Sequence, residues 1–296
     1  MRMRARAESL SLRIVLLILL VLSVGGCGRG GAELTVVVSI PPLESLVEAL
    51  AGEAAQVVLL VPPSATPHTF SPKPADVRAL AKARLFVLVG LKLEHPWAEK
   101  LIASAGNLGL KVAYLGKGVE AIGDPPNPHI WLSPREALIM LENLRKALSA
   151  VDPAHRDLYV QNAAALRERL TALDQEYQAL AELPDRRFIA ARPAFVYLAR
   201  DYGLEQVAVI AGTPGQEPTP NRLAELIRLI EAEGIRVLLA LAQLEDRFVD
   251  LLAEETGIRV VRLDVLGVEH RDYIEMLRSN LEALLAGFTG AGEVSR

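Results

Sequence analysis

Short apolar runs of strand length alternate with helical patterns along this chain, and this alternation restricts the folds that it can adopt. Residues 34–40 (LTVVVSI), 57–61 (VVLLV) and 85–90 (LFVLVG) are such runs, and helical patterns separate them. Strands that are apolar on both faces are typical of parallel sheets, because helices cover both sides of such a sheet. The first part of the chain is therefore predicted to form a parallel sheet with helical crossovers.

One long helical segment follows, between Asp152 and Pro184. Asp152 is a predicted N-cap and Pro153 a predicted first helical residue, and nothing in the sequence breaks the helical pattern before Pro184. About 30 residues at about 1.5 Å each give a helix of roughly 45 Å. Its apolar residues do not keep a heptad repeat and its charges exclude a membrane span. We therefore expect a strut between two lobes instead of a coiled coil or a transmembrane helix.

Beyond Pro184 the alternation resumes, with strand patterns at residues 187–191, 207–212, 237–241 and 260–264. The fold class is therefore predicted to be α/β, with two parallel-sheet α/β lobes joined by one long rigid helix and a ligand cleft between the lobes. The predicted bounds are residues 33–151 for the N-terminal lobe, 152–184 for the linking helix and 185–290 for the C-terminal lobe.

The first 26 residues have the pattern of a signal peptide. A basic stretch with four arginines precedes an apolar run that is about half as long as the roughly 20 residues of a membrane-spanning helix. The run ends in VGGC, which resembles a bacterial lipobox, and Cys27 is the only cysteine of the chain. We therefore predict a lipid anchor on Cys27 and a flexible tether at residues 27–32. The alternative is a plain signal peptide with an incidental cysteine.

The charge of the chain argues against nucleic acid as a partner. The chain contains 32 Lys and Arg and 36 Asp and Glu, for a net charge of −4, and it shows no basic patch with interleaved aromatic residues. Hydrophobic residues make up 51% of the sequence, which is enough for well-packed α/β lobes.

Four side chains stand where ligands bind to open parallel sheets, beyond the carboxyl ends of strands or in loops beside them. His68 lies in the proline-rich stretch VPPSATPHTFSPKP, and His129 lies in NPHIWLSP just before a helical pattern. Arg192 follows the strand pattern at residues 187–191, and Asp264 ends the last strand pattern. Two of the four come from each lobe, so all four are predicted to face one cleft.

Two histidines and a carboxylate suit a divalent first-row metal ion. Zinc takes four nitrogen, oxygen or sulfur ligands, manganese also accepts oxygen, and the neutral imidazole is the form that coordinates. The prolines around His68 and His129 would fix the direction in which each ring points. The alternative is that both are ordinary polar loop residues. His95, His155 and His270 occupy places that are less suited to a metal.

Several segments resemble the zinc- and manganese-type solute-binding proteins of ABC transporters. The likeness covers nearly the whole chain after the signal peptide, and it is carried by SIPPLESLVEALAG, LVPPSATPHTFSPKPADVRALAKA, NPHIWLSP, YLARDYGLEQV, EPTPNRLAELIRLIEAEGI and VVRLDVLG. The resemblance implies two α/β lobes joined by a rigid helix, a lipid-anchored or free periplasmic form, delivery of metal to an ABC permease, and no catalysis. It assigns His68 and His129 to the first two metal-binding histidines and Asp264 to the carboxylate ligand.

Arg192 departs from the family pattern, which normally has histidine at this position, although the neighbouring Pro193 and the later ARDYG still match. A guanidinium group stays protonated and has no lone pair for a metal. Arg192 either points into the cleft, where it repels a dication and can pair with Asp264, or turns out to solvent and leaves its ligand position to water. The first orientation predicts a metal site of reduced affinity.

We therefore predict the solute-binding component of an ABC importer, extracytoplasmic, membrane-anchored or periplasmic, and monomeric. Its cargo is predicted to be zinc or, next, manganese, bound at a reduced site. His68, His129 and Asp264 are expected within roughly 6 Å of each other in a closed form, because zinc lies about 2 Å from each ligand. A degenerate member that binds an anion, or acts as an adhesion or scaffold module, is the alternative. An enzyme is a third hypothesis, for which Glu217 is the nearest candidate base.

Overall fold

The computed structural model describes residues 34–212 and 217–290. The predicted signal peptide, Cys27 and the predicted tether lie outside the described residues, so the expectations for them stay predictions. Within the described ranges, no helix combines the length and the apolar character that crossing a membrane requires.

The N-terminal lobe contains one parallel sheet of four strands in the order β2-β1-β3-β4. The strands are β1 (Leu34–Val38), β2 (Ala55–Leu59), β3 (Leu85–Leu88) and β4 (Lys111–Tyr114), and helices α1 (Pro41–Ala51), α2 (Pro74–Lys82) and α3 (His95–Ala105) connect them. β4 was not among the predicted strands. It lies at the edge of the sheet with exposed and half-buried residues, so no apolar run marks it in the sequence.

The middle of the chain contains two long helices joined by a short turn. After α4 (Pro134–Val151), a 3-10 turn at Pro153–His155 leads into α5 (Arg156–Tyr177), and a second 3-10 segment at Gln178–Glu182 follows. The 22 residues of α5 span about 33 Å. The linking α-helix is therefore shorter than the roughly 45 Å that the sequence pattern predicts.

Local contacts explain both ends of α5. Asp152 does not cap the helix as predicted, because its Oδ2 accepts a hydrogen bond from the Tyr159 hydroxyl (2.6 Å) and contacts Nδ1 of His155 (2.6 Å). At the other end, Leu183 has the extended backbone that a residue before proline adopts, and the last helical turn tightens before it.

The C-terminal lobe repeats the topology of the first lobe, with a parallel sheet in the order β6-β5-β7-β8. The strands are β5 (Arg187–Ala190), β6 (Glu205–Val209), β7 (Val237–Leu241) and β8 (Arg259–Leu263), and the helices are α6 (Val196–Tyr202), α7 (Pro220–Glu233), α8 (Arg247–Thr256) and α9 (Tyr273–Thr289). In each sheet, the first and third strands in chain order are neighbours and the chain leaves them in opposite directions. Ligands bind to such sheets beyond the carboxyl ends of these two strands.

Buried contacts hold α5 against both lobes. The Tyr177 hydroxyl donates to the carbonyl of Leu277 in α9 (2.6 Å), and Asn162 Nδ2 donates to the carbonyl of Leu50 in α1 (2.9 Å). Tyr159 and Tyr177 are fully buried. The helix therefore connects the two lobes as the sequence predicts, and the predicted fold class is confirmed.

The lobes also contact each other directly. Trp131 Nε1 donates to the carbonyl of Val265 (2.7 Å), and the Ser133 hydroxyl donates to Oδ2 of Asp201 (2.5 Å). One hydrophobic core extends from the first sheet through α4 and α5 to one face of the second sheet, and a smaller cluster covers the other face. The loop between β4 and α4 is thus packed against the C-terminal lobe.

Candidate metal site

The loop that carries His68 is fixed through its backbone. His68 is the central residue of a 3-10 turn, Pro67–Thr69, between β2 and α2. The carbonyl of Pro67 accepts a hydrogen bond from Trp97 Nε1 (2.9 Å), and the Trp97 ring packs edge-on against Phe70 with centroids 5.1 Å apart. The indole therefore contacts residues on both sides of His68 and holds the loop that carries the imidazole.

Asn127 holds His129 from two directions. Its Oδ1 accepts a hydrogen bond from the backbone N–H of His129 (3.0 Å) and lies 2.9 Å from the ring Nδ1. Its Nδ2 donates to the carbonyl of Pro193 in the C-terminal lobe (2.5 Å). Because an amide oxygen only accepts, the proton of the imidazole is assigned to Nδ1, and Nε2 keeps its lone pair.

The two histidines meet at their Nε2 atoms. These atoms are 3.3 Å apart, and the ring centroids are 5.2 Å apart with the ring planes tilted by 47°. Two nitrogen ligands that each lie about 2.05 Å from a tetrahedral zinc ion are separated by about 3.3 Å. The spacing of the pair is therefore that of two ligands on one zinc ion.

Burial keeps both rings in the form that binds metal. It lowers the pKa of His129 to about 3, with a smaller contribution from the nearby His68, and it also lowers the pKa of His68. Both imidazoles are therefore neutral at neutral pH, and only the neutral ring offers a nitrogen lone pair.

Asp264 is engaged by the backbone of its own loop. It is 3% exposed. Its Oδ1 accepts hydrogen bonds from the N–H groups of Leu266, Gly267 and Val268, and its Oδ2 accepts from those of Glu269 and His270, at 2.8–3.4 Å. Within residues 34–212 and 217–290, no group of three or more His, Cys, Asp or Glu side chains is placed to hold a metal ion. The structure thus brings His68 and His129 together as predicted but does not add Asp264 to them.

Arg192 pairs with a carboxylate that the sequence did not suggest. Its Nη1 lies 3.2 Å from Oδ2 of Asp246 and donates to the carbonyl of Ala191 (2.9 Å). The expected pairing with Asp264 is therefore wrong, because Asp246, in the loop after β7, is the nearer acid and Asp264 is already satisfied by amides. The Arg192 side chain is 24% exposed, so neither full exposure to solvent nor full burial in a cleft describes it.

Asn127 and Asp246 are the site residues that the sequence analysis did not identify. Asn127 stands two residues before His129 within the same proline-framed motif, which is a usable signal for a side chain that orients the ring. Asp246 also caps α8, since its Oδ1 accepts from the N–H of Phe248 (3.1 Å). An acid before a helix is a common cap, so nothing in the sequence distinguishes its second role.

Comparison with known families gives one match over most of the chain. The sequence profile of the ZnuA family, described as "Zinc-uptake complex component A periplasmic", matches residues 36–287. This range includes both lobes, the two histidines, Arg192 and Asp264.

Individual relatives bind different metals. The chain is 31% identical over 267 residues to the iron-binding protein YfeA of Yersinia pestis, and the match covers 86% of each chain. It is 30% identical over 277 residues to the zinc-binding lipoprotein AdcA of Streptococcus pneumoniae serotype 4, covering 85% of this chain but only 55% of AdcA, so it spans about half of that protein. Its fold is similar to that of FpvC from Pseudomonas aeruginosa in complex with Mn²⁺, with a TM-score of 0.80, 27% identity, and coverage of 88% of this chain and 100% of FpvC.

Proposed function

This chain belongs to the zinc-uptake complex component A family, and from that premise we propose that it captures zinc outside the cytoplasm and delivers it to the ABC permease of a metal importer. Members of the family are substrate-binding components of metal transporters and not enzymes. The third hypothesis, an enzyme with the same ligands, is therefore excluded.

The spacing of the histidine pair is the observation that carries the proposal. Two neutral imidazoles present Nε2 atoms 3.3 Å apart, which matches the separation of about 3.3 Å for two ligands of tetrahedral zinc. Two nitrogen donors suit zinc better than manganese, which prefers oxygen ligands. Manganese is therefore the second cargo that we propose, and iron is a competitor to include in any binding assay.

We propose that the metal site is reduced relative to a complete four-ligand set. His68 and His129 supply two ligands. Asp264 can supply a third only if it releases some of the backbone amides that its oxygens accept. Arg192 adds a positive charge at the carboxyl edge of the second sheet and no ligand. Zinc affinity should therefore be lower than in a site with a third histidine.

The alternative function is a family member that no longer carries metal and binds an anion or acts as an adhesion or scaffold module. The Arg192–Asp246 pair favours it, because a guanidinium group at the ligand position is better suited to an anion than to a dication. Zinc titration distinguishes the two functions, since the alternative predicts no binding at any zinc concentration that leaves the protein folded.

We also propose that the mature chain starts at Cys27, carries a lipid there, and reaches its folded lobes through residues 27–32. Mass spectrometry of the mature protein from the membrane fraction tests this, and a Cys27→Ala variant should be released from the membrane. A soluble mature form of the unchanged chain that begins at another residue would contradict the lipid anchor.

Zinc binding to the purified protein tests the proposed function. We expect His68→Ala and His129→Ala each to lower zinc affinity at least tenfold, measured by competition with a chelator of known affinity. His95→Ala is the matched control, because His95 has a 65% exposed side chain and pairs with Glu99 (3.2 Å) on the same helix. Equal losses in all three variants would show that the pair is not the site.

A further inference from the structure

We propose that the cargo is a divalent metal ion that carries a small oxyanion, and that Arg192 is the residue that binds this oxyanion. This inference rests on the proposed function, because it names the chemical form in which the metal occupies that same site.

The first step is the number of protein ligands. Tetrahedral zinc needs four donors, and the His68–His129 pair supplies two. Both oxygens of Asp264 accept backbone hydrogen bonds, and the part of the chain that the structure describes offers no cluster of three metal-binding side chains. At least one donor, and as many as two, must come from outside the protein.

The second step is the place of Arg192 in the fold. Arg192 follows β5, and Asp246 lies in the loop after β7, so the pair stands beyond the carboxyl ends of the two adjacent central strands, where such sheets bind ligands. The next residue, Pro193, accepts a hydrogen bond from Asn127 (2.5 Å), and Asn127 holds the ring of His129 (2.9 Å). Two hydrogen bonds thus connect the Arg192–Pro193 segment to the imidazole.

The third step is the part of the guanidinium group that is available. Nη1 contacts both Asp246 and Ala191. Among the described residues, no hydrogen bond is made by Nε or Nη2, and these two atoms form the edge that binds carboxylates and similar oxyanions through paired hydrogen bonds. Asp246, which is only 9% exposed, and the carbonyl of Ala191 both hold Nη1, so their contacts do not occupy the Nε–Nη2 edge.

The charge of Arg192 then favours a metal ion that carries an oxyanion over a bare metal ion. Asp246 offsets part of the charge of Arg192, but the guanidinium group still offers a dication no ligand, whereas an oxyanion between the two is attracted to both. Arg192, which weakens the binding of a free zinc ion, therefore favours zinc that brings its own oxyanion. The same oxyanion supplies the missing metal donors through its oxygen atoms.

Equilibrium dialysis of the folded protein with zinc and radiolabelled oxalate, and separately with bicarbonate, tests the proposal. We expect the protein to retain one oxyanion per zinc ion, to retain none without zinc, and to bind zinc at least tenfold more tightly with the oxyanion at the same free zinc concentration. The two anions distinguish an organic dicarboxylate from an inorganic source, and retention of either one supports the inference.

Substitutions at Arg192 separate this inference from the proposed function. Arg192→Gln should abolish retention of the oxyanion while zinc still binds, and Arg192→Lys should keep part of it. Arg187→Gln is the control, because Arg187 lies at the opposite end of β5 and pairs with Asp185 (3.0 Å). Zinc binding that ignores both anions, or equal anion retention by Arg192→Gln, would overturn the inference and leave the proposed function intact. Failure to bind zinc with or without an oxyanion would overturn both.

Discussion

The substitution Arg192→His should lower the free energy of unfolding of the metal-free protein and raise its affinity for zinc. The first effect follows from the ion pair with Asp246, whose charged atoms are 3.2 Å apart. At an effective dielectric constant of about 20, the Coulomb attraction at this distance is about 5 kcal/mol. The Arg192 side chain is 24% exposed and Asp246 is 9% exposed, so solvent screening and the cost of desolvation reduce the net contribution to about 1–3 kcal/mol.

The second effect has the opposite sign. Histidine removes the fixed positive charge and adds a neutral nitrogen donor at the position where the resemblance to the family places a metal-binding histidine. We expect zinc affinity to rise at least tenfold, which corresponds to about 1.4 kcal/mol. Zinc binding by the Arg192→His variant should no longer depend on an added oxyanion, because the third histidine takes the place of one external donor.

Denaturant unfolding of the metal-free protein measures the first effect, and competition titration against a chelator measures the second. Arg192→Ala is the control, since it removes the same charge without adding a donor. It should lose the same stability and recover only part of the affinity. If Arg192→His unfolds like the unchanged protein and binds zinc no more tightly, Arg192 neither pairs with Asp246 in solution nor influences the site, and the reasoning is refuted.

Two further predictions concern the support of the histidine pair. Asn127→Ala should lower zinc affinity by about 10–100-fold, because the ring of His129 loses the acceptor that fixes its proton on Nδ1. Isothermal titration measures this affinity. An unchanged value would show that the ring is held without Asn127. The metal-free protein should also lose stability as pH falls from about 6.5, the usual histidine pKa, toward 3. The unfolded chain takes up a proton there that His129, with its pKa lowered to about 3, does not. His129→Gln should flatten this pH profile, and an equally steep profile in the variant would assign the loss to other groups.

Much of the fold could be predicted because its signals are local. Runs such as LTVVVSI are apolar enough to bury both faces of a strand. The alternation of such runs with helical patterns, and the prolines that bound the helices, predicted the two lobes and the helix between them. β4 was not predicted, because an edge strand buries little of its surface and therefore needs few apolar residues. The predicted helix was longer than α5 for two reasons. Asp152 bonds to Tyr159 instead of capping the helix, and the turn before Pro184 tightens into a 3-10 segment.

The candidate site also has a part that the sequence predicts and a part that it does not. His68 and His129 were identifiable from their proline-framed motifs, whereas the partner of Arg192 was not. The choice between Asp264 and Asp246 depends on five backbone amides that follow Asp264 and take up its charge. Almost every residue type has a backbone amide, so no side chain in the sequence indicates that these amides bond to Asp264.

The position of zinc in a crystal of the zinc-loaded protein tests the central claim most directly. Anomalous diffraction measured on both sides of the zinc absorption edge locates the ion without reference to the assumed ligands. We predict one strong peak about 2.0–2.1 Å from Nε2 of His68 and from Nε2 of His129, which are already 3.3 Å apart. A zinc peak at other side chains, with these two rings still in contact with each other, would contradict the account.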